Sequence, residues 1–165
     1  MVINIDKSLF DSREHEVYKA LAVKQPYADE LTQATWRDAE GVYYAKKDIL
    51  IRTRKVNYRG DVLICSSASP EVEGHLSGAT CGLVELYDVR PASELTEEQW
   101  DAVAGPASGK FAYFFRNPRR VIEMPVRGEM GLFTLYAAKG DVMCYPREVV
   151  IGAETWKKMR KKMGK

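Results

Sequence analysis

Apolar positions recur along this chain in short runs, and the runs read mostly as strands. Residues 48–55 alternate: Ile49, Ile51 and Thr53 fall on one side, Leu50, Arg52 and Arg54 on the other. That pattern predicts a strand whose isoleucine side meets the core. A turn at 57–60 separates it from residues 61–65, where an unbroken apolar run after Asp61 predicts a more buried strand. Residues 80–89 predict a long strand bent at Gly82, and residues 110–116 an aromatic strand. Asn117 and Pro118 read as a turn, and residues 121–126 as a strand with Pro125 at an edge or bulge. Residues 20–24, 132–136 and 141–145 predict shorter strands.

Helical signals are fewer. Pro26 suits the first position of a helix running to residue 35, with Tyr27, Leu31 and Ala34 at helical spacing. Thr96 and Gln99 make a capping box, Leu95 and Trp100 its hydrophobic staple, and Gly105 and Pro106 stop that helix. From Ala153 the tail is helical, with Trp156, Met159 and Met163 on one face. Residues 36–46 and 66–78 read as loops, and residues 1–19 as an arm or a short helix. Several short strands with few helices predict an α+β domain, a small, partly closed mixed β-barrel flanked by short helices. The chain divides into an N-terminal arm (1–19), a barrel domain (20–145) and a basic C-terminal helix (146–165), packed on the domain or extending from it.

Composition narrows the classes. A chain of 165 residues, 45% hydrophobic, can bury a core without metals or disulfides. No apolar run approaches the roughly eighteen residues of a membrane span, and the start has no signal-peptide pattern. A cytoplasmic protein, monomeric and without membrane contact, is expected. Cys65, Cys81 and Cys144 are too few and too scattered for a disulfide framework, and read as buried free thiols. His15 and His75 stand far apart, so neither a metal site nor a Ser-His-Asp triad is expected, and no cofactor.

The net charge of +2 hides a segregation. Residues 46–59 hold six basic residues and one acid, and residues 157–165 six basic residues and no acid. The remainder carries 13 basic and 22 acidic residues. An acidic body with basic patches points to a localised anionic partner.

Several short motifs in order carry a resemblance. Gln25-Pro26-Tyr27-Ala28, Lys47-Asp48-Ile49 with Arg52-Thr53, and Tyr58-Arg59-Gly60 come first. Trp100, Phe111, Asn117-Pro118, Pro125-Val126-Arg127-Gly128 and Gly131-Leu132-Phe133 follow. Over residues 21–133 the chain resembles the ASCH domain, the activating-signal-cointegrator homology domain with its PUA-like β-barrel. The resemblance implies binding of RNA or a nucleotide in a cleft beside the barrel. Some members of that family resemble amidohydrolases of acylated cytidine, others ribonucleases. Lys47 and Arg52 match the lysine and arginine of the family's G-x-K-x-x-E-x-R pattern; Ala45 replaces its glycine, Leu50 its glutamate, and Arg54 stands where tryptophan is common.

Two guanidiniums two residues apart on a strand can clamp a phosphate, and Tyr58 and Arg59 would add a stacking ring and a further cation. The expected ligand-binding set is Gln25, Pro26, Lys47, Arg52, Arg54, Tyr58, Arg59 and Ser66. The partner is RNA or a nucleotide-like anion. The plainer alternative is a solvated edge strand, a helix start at Gln25-Pro26 and ordinary loop polarity at Ser66. Hydrolysis on the same scaffold would need a proton acceptor, which Leu50 cannot be. Lys47 is the candidate base or nucleophile, and Glu85 the candidate acid, with Asp88 and Asp61 as others. A third reading makes the Trp156-Met159-Met163 face a docking helix for another protein.

Overall fold

The computed structural model describes residues 2–3, 15–147 and 149–163. In chain order its elements are β1 (Val2–Ile3), β2 (His15–Val23), α1 (Tyr27–Thr32), β3 (Ala34–Arg37), β4 (Tyr43–Ala45), β5 (Ile49–Arg52), β6 (Gly60–Ser66) and β7 (Thr80–Pro91), then α2 (Glu97–Asp101), β8 (Val103–Ala104), β9 (Phe111–Arg120), β10 (Leu132–Ala138), β11 (Ile151–Gly152) and α3 (Ala153–Met163). Eight strands make one mixed sheet in the order β1-β10-β2-β6-β7-β9-β5-β8. Strands β2 and β6 pair in parallel, as do β5 and β8; the other neighbours are antiparallel. A small second sheet runs β11-β3-β4. The fold is α+β, and the described pairings run from edge to edge without closing a ring.

Both faces of the central strands are covered, which explains their unbroken apolar runs. In β6, Val62 and Ile64 enter a core with Leu21, Leu31, Val84 and Phe115; Leu63 and Cys65 enter another with Leu83, Phe133 and Leu135. Strand β5 behaves alike. Ile49 and Ile51 pack with Ala102 and Phe114, while Leu50 joins the first core. The expected polar side of β5 is therefore largely buried, and only its end, at Arg52, reaches an opening.

Helix α1 lies directly on β7 because Gly82 offers no side chain there. A Cβ at Gly82 would stand 2.7 Å from both the Arg119 carbonyl oxygen and Thr32 Cβ. The capping box of α2 forms as the sequence predicts: Thr96 Oγ1 accepts from the Gln99 N–H, and Gln99 Oε1 accepts from the Thr96 N–H.

Other expectations are corrected. Of the arm expected at 1–19, residues 2–3 form β1 and residues 15–19 belong to β2; residues 1 and 4–14 lie outside the described residues. The loop expected at 36–46 contains the end of β3 and all of β4, with the Trp36 and Tyr44 rings stacked 4.5 Å apart. Strand β9 continues through Asn117 and Pro118, which form a bulge where its register against β7 shifts, with Asn117 at a left-handed φ of 55°. Residues 121–126 and 141–145 are not strands; Val121 merely bridges to Cys144 and Pro125 to Ala79. Trp100, expected as the apolar half of the α2 staple, is 38% exposed, and Cys144, expected to be buried, is exposed too. In α3 the Trp156 ring is buried in its own chain while Met159 is exposed, and Arg160 pairs with Glu98 of the α2 turn at 3.1 Å. The side chain of Met163 lies outside the described residues. No helix among the described residues is long and apolar enough to cross a membrane.

Candidate anion-binding cleft

Where β5 ends, a cleft of about 950 Å³ opens. Ala22 of β2 and Arg52 to Arg54 form one wall, Ser67, Ala68 and Gly78 another, and residues 126–131 a third. Two glycines allow this closeness. A Cβ at Gly109 would sit 2.4 Å from the Arg52 carbonyl carbon and oxygen, so the segment before β9 braces the end of β5. A Cβ at Gly128 would sit 2.9 Å from Ala22 Cβ, so the 126–131 segment closes against β2.

Arg52 is the central charge. Its Nη2 donates to the Ala22 carbonyl at 3.0 Å, and its Nε–H is buried without an acceptor. Among the described residues no carboxylate pairs with it. Burial lowers its pKa below the ordinary arginine value, because an enclosed cation is poorly solvated. Arg54 is exposed at the cleft edge, and its side chain has no partner among the described residues. Its backbone is fixed, since its carbonyl accepts a hydrogen bond from the Tyr113 hydroxyl. Arg127 and Glu129 also line the cleft. Glu129 is a carboxylate that sequence reasoning missed; nothing about residues 127–131 as a polar stretch distinguishes it from an ordinary surface acid.

The rest of the expected set is dispersed. Lys47 is not in the cleft: its Nζ donates to the Asp101 carbonyl at 2.6 Å, beside α2. The Arg59 guanidinium folds back on its own turn, donating to the carbonyls of Val56 and Tyr58 at 3.1 and 2.9 Å. The Tyr58 hydroxyl donates to the Asp61 carbonyl. Gln25 is buried and structural, its amide donating to the Leu76 carbonyl at 2.8 Å and accepting from the Asp29 N–H at 3.2 Å. That bond occupies one of the N–H groups at the start of α1, so Pro26 begins the helix without making an anion site. Ser66 is buried too, exchanging hydrogen bonds with the backbone of Ala79; its neighbour Ser67 is the one that lines the cleft. Glu85 is held by Arg116 through two bonds of 3.1 and 3.0 Å. Asp61 is held by Arg119, and Asp88 by Arg90. Among the described residues no group of three His, Cys, Asp or Glu side chains is placed to hold a metal ion.

Beside Lys47, the Asp48 carboxyl is enclosed although the residue keeps some surface. Burial pushes its pKa up to about 7, against the pull of Arg160 and Lys47. In the unfolded chain the group titrates near the ordinary aspartate value of about 4. Below that pH both states are protonated and nothing is lost. As pH rises toward 7 the unfolded chain ionises first, so stability falls, and above 7 the loss is complete. Asp48→Asn is therefore expected to be more stable than the parent at pH 8 by on the order of 1–3 kcal/mol. The gap should close by pH 4 in urea titrations; a gap independent of pH would exclude the effect.

No protein-family model matches the chain, and no curated protein matches it.

Proposed function

We propose that this chain is an ASCH-type, PUA-like module that holds RNA or a nucleotide-like anion in the cleft at Arg52 and Arg54. On this reading the eight-stranded sheet is an incompletely closed form of that barrel. The observation that carries the reading is the state of Arg52: a guanidinium at the wall of an open cleft, with no carboxylate paired to it among the described residues and one N–H without an acceptor. A partly buried charge without a paired counter-charge is a net cost to the fold, and an anionic guest offsets that cost. Arg54, within reach on the same edge, supplies a second fork for the same phosphate. The cleft volume is also in the range of about 300–1,000 Å³ usual for small-molecule sites.

The reading is tested by titrating single-stranded RNA at several salt concentrations. Binding should weaken with a log–log slope of about −0.7 for each phosphate engaged. A nucleoside without phosphate should bind far more weakly than its nucleotide. Failure of both RNA and nucleotides to bind at low salt, or binding indifferent to salt, would remove the reading.

A second reading, hydrolysis of an acylated cytidine or of RNA, is supported by Glu129, which puts a carboxylate in the same cleft as Arg52. It has lost Lys47 as base or nucleophile, since that amine lies elsewhere. Turnover of acetylcytidine or labelled RNA that disappears in Glu129→Gln would favour it over simple binding.

A further inference from the structure

The 67–78 loop has a second cavity on its other side. Ser67, Ala68 and Gly78 face the cleft described above, whereas Gly74 and His75 line a separate space of about 610 Å³. Its other walls bring together distant parts of the chain: Asp29 on α1, Arg119 and Arg120 at the end of β9, and Tyr145 to Arg147.

Charge in this cavity is unbalanced. Asp29 is its one lining carboxylate, and both oxygens are engaged: Oδ1 accepts from Arg120 Nη1 at 2.7 Å, and Oδ2 lies 2.6 Å from His75 Nδ1. Burial works against its ionisation, yet the bonds from Arg120 and His75 hold its carboxyl below the ordinary aspartate range. An ionised carboxylate can only accept, so Nδ1 of His75 carries the proton. Nε2 is then the ring nitrogen left over, a proton acceptor in the neutral ring and a donor in the charged one.

The arginines are only partly used. Arg119 is committed to Asp61 by bonds of 3.1 and 2.7 Å. Arg120 uses Nη1 alone, for Asp29 and for Thr32 Oγ1. Arg147 uses Nη2 for Asn117 Oδ1 at 2.7 Å and lies over the Tyr43 ring. Among the described residues the remaining donors of Arg120 and Arg147 have no protein partner. Two guanidiniums with donors to offer, and an imidazole whose Nε2 becomes a donor when the ring is protonated, thus surround a space whose single lining acid is already saturated.

We infer that this second cavity is a phosphate-binding site separate from the cleft, in which Arg120, Arg147 and His75 take a phosphate monoester. A monoester suits it because it brings nearly two charges and three strong acceptor oxygens to the two guanidiniums, and its charge favours the protonated His75 ring, whose Nε2 is then a third donor. The space exceeds what a phosphate alone fills, and Tyr145, 43% exposed on its lining, offers a ring face to a base. The inference does not rest on the cleft reading, because none of its residues lines the cleft.

The chain has only two histidines, so the His75 ring signal can be followed by NMR and assigned by its loss in His75→Gln. Adding AMP or inorganic phosphate should move that signal, and adenosine should not. The tighter of the two ligands identifies the source of the phosphate. Arg147→Gln, a change at an exposed side chain, should weaken this titration about tenfold to a hundredfold, the usual loss for a charge-assisted hydrogen bond. Its unfolding curve should match the parent's, which separates lost binding from lost fold. The same shift should persist in a chain lacking Arg52 and Arg54. A His75 signal indifferent to both phosphates, or one moved equally by adenosine, would overturn the site. If the shift vanished with Arg52 and Arg54, the second site would fall while the cleft reading stood.

Discussion

Replacing Arg52 and Arg54 together by alanine is expected to lower affinity for single-stranded RNA by about a hundredfold. A hydrogen bond to a charged group contributes roughly 1.5–3 kcal/mol, and the two forks meet one phosphate, so the lower end of their combined effect applies. The salt slope should flatten by about 0.7 for each phosphate that the variant no longer engages. Stability should move the other way. Arg52 is an enclosed cation that gains one hydrogen bond, to Ala22, and leaves its Nε–H without an acceptor. Apolar replacement of a buried charge of similar length is often neutral or stabilising. Arg52→Met should therefore unfold at the same urea concentration as the parent or later, while binding RNA more weakly. Affinity equal to the parent's in the double variant would end the cleft reading. A marked loss of stability in Arg52→Met would show instead that the guanidinium is there to hold β2.

How legible this was depends on how local each signal is. The capping box at Thr96 and Gln99 needs only a few neighbouring residues, and it forms as read. The buried strand after Asp61 was legible because a strand covered on both faces admits no polar position. Asn117-Pro118 misled because its turn chemistry is absorbed as a bulge inside a ten-residue strand, with pairing to β7 resuming on either side. Trp100 misled because a staple pattern fixes only a local contact at the helix start, and no residue of α2 is buried, so the ring stays partly in solvent. At the site, Arg52 and Arg54 line one cleft, but not by alternation: β5 ends at Arg52, and Thr53, expected on the opposite side, lines the cleft with them. Adding Lys47 treated nearness in sequence as nearness in space. Five residues of extended chain span roughly 16 Å, and Lys47 ends beside α2. The Asp29–His75 and Asp29–Arg120 contacts join residues 46 and 91 positions apart, and no local pattern announces them.

The largest stability effect should come from a single methyl group. Gly82→Ala is expected to destabilise the fold by about 3 kcal/mol, at the upper end of overpacking penalties. The new Cβ would need to share space with the Arg119 carbonyl oxygen and Thr32 Cβ, each 2.7 Å away. Neither can yield cheaply. The Arg119 carbonyl belongs to the β9 backbone beside β7, and Thr32 is fully buried, its hydroxyl donating to the Ala28 carbonyl at 2.9 Å. Relief must come from lifting α1 off the sheet, which loosens Leu31 from the core and pulls Asp29 from Arg120. Thr32→Ala should not rescue the variant, since alanine keeps the offending Cβ. Gly152→Ala, where no atom lies within 4 Å, serves as the control and should change stability little. Urea midpoints for the three variants decide the matter. If Gly82→Ala and Gly152→Ala unfold together, α1 does not rest on β7 as closely as these distances require, and the wall that carries Asp29 is not fixed.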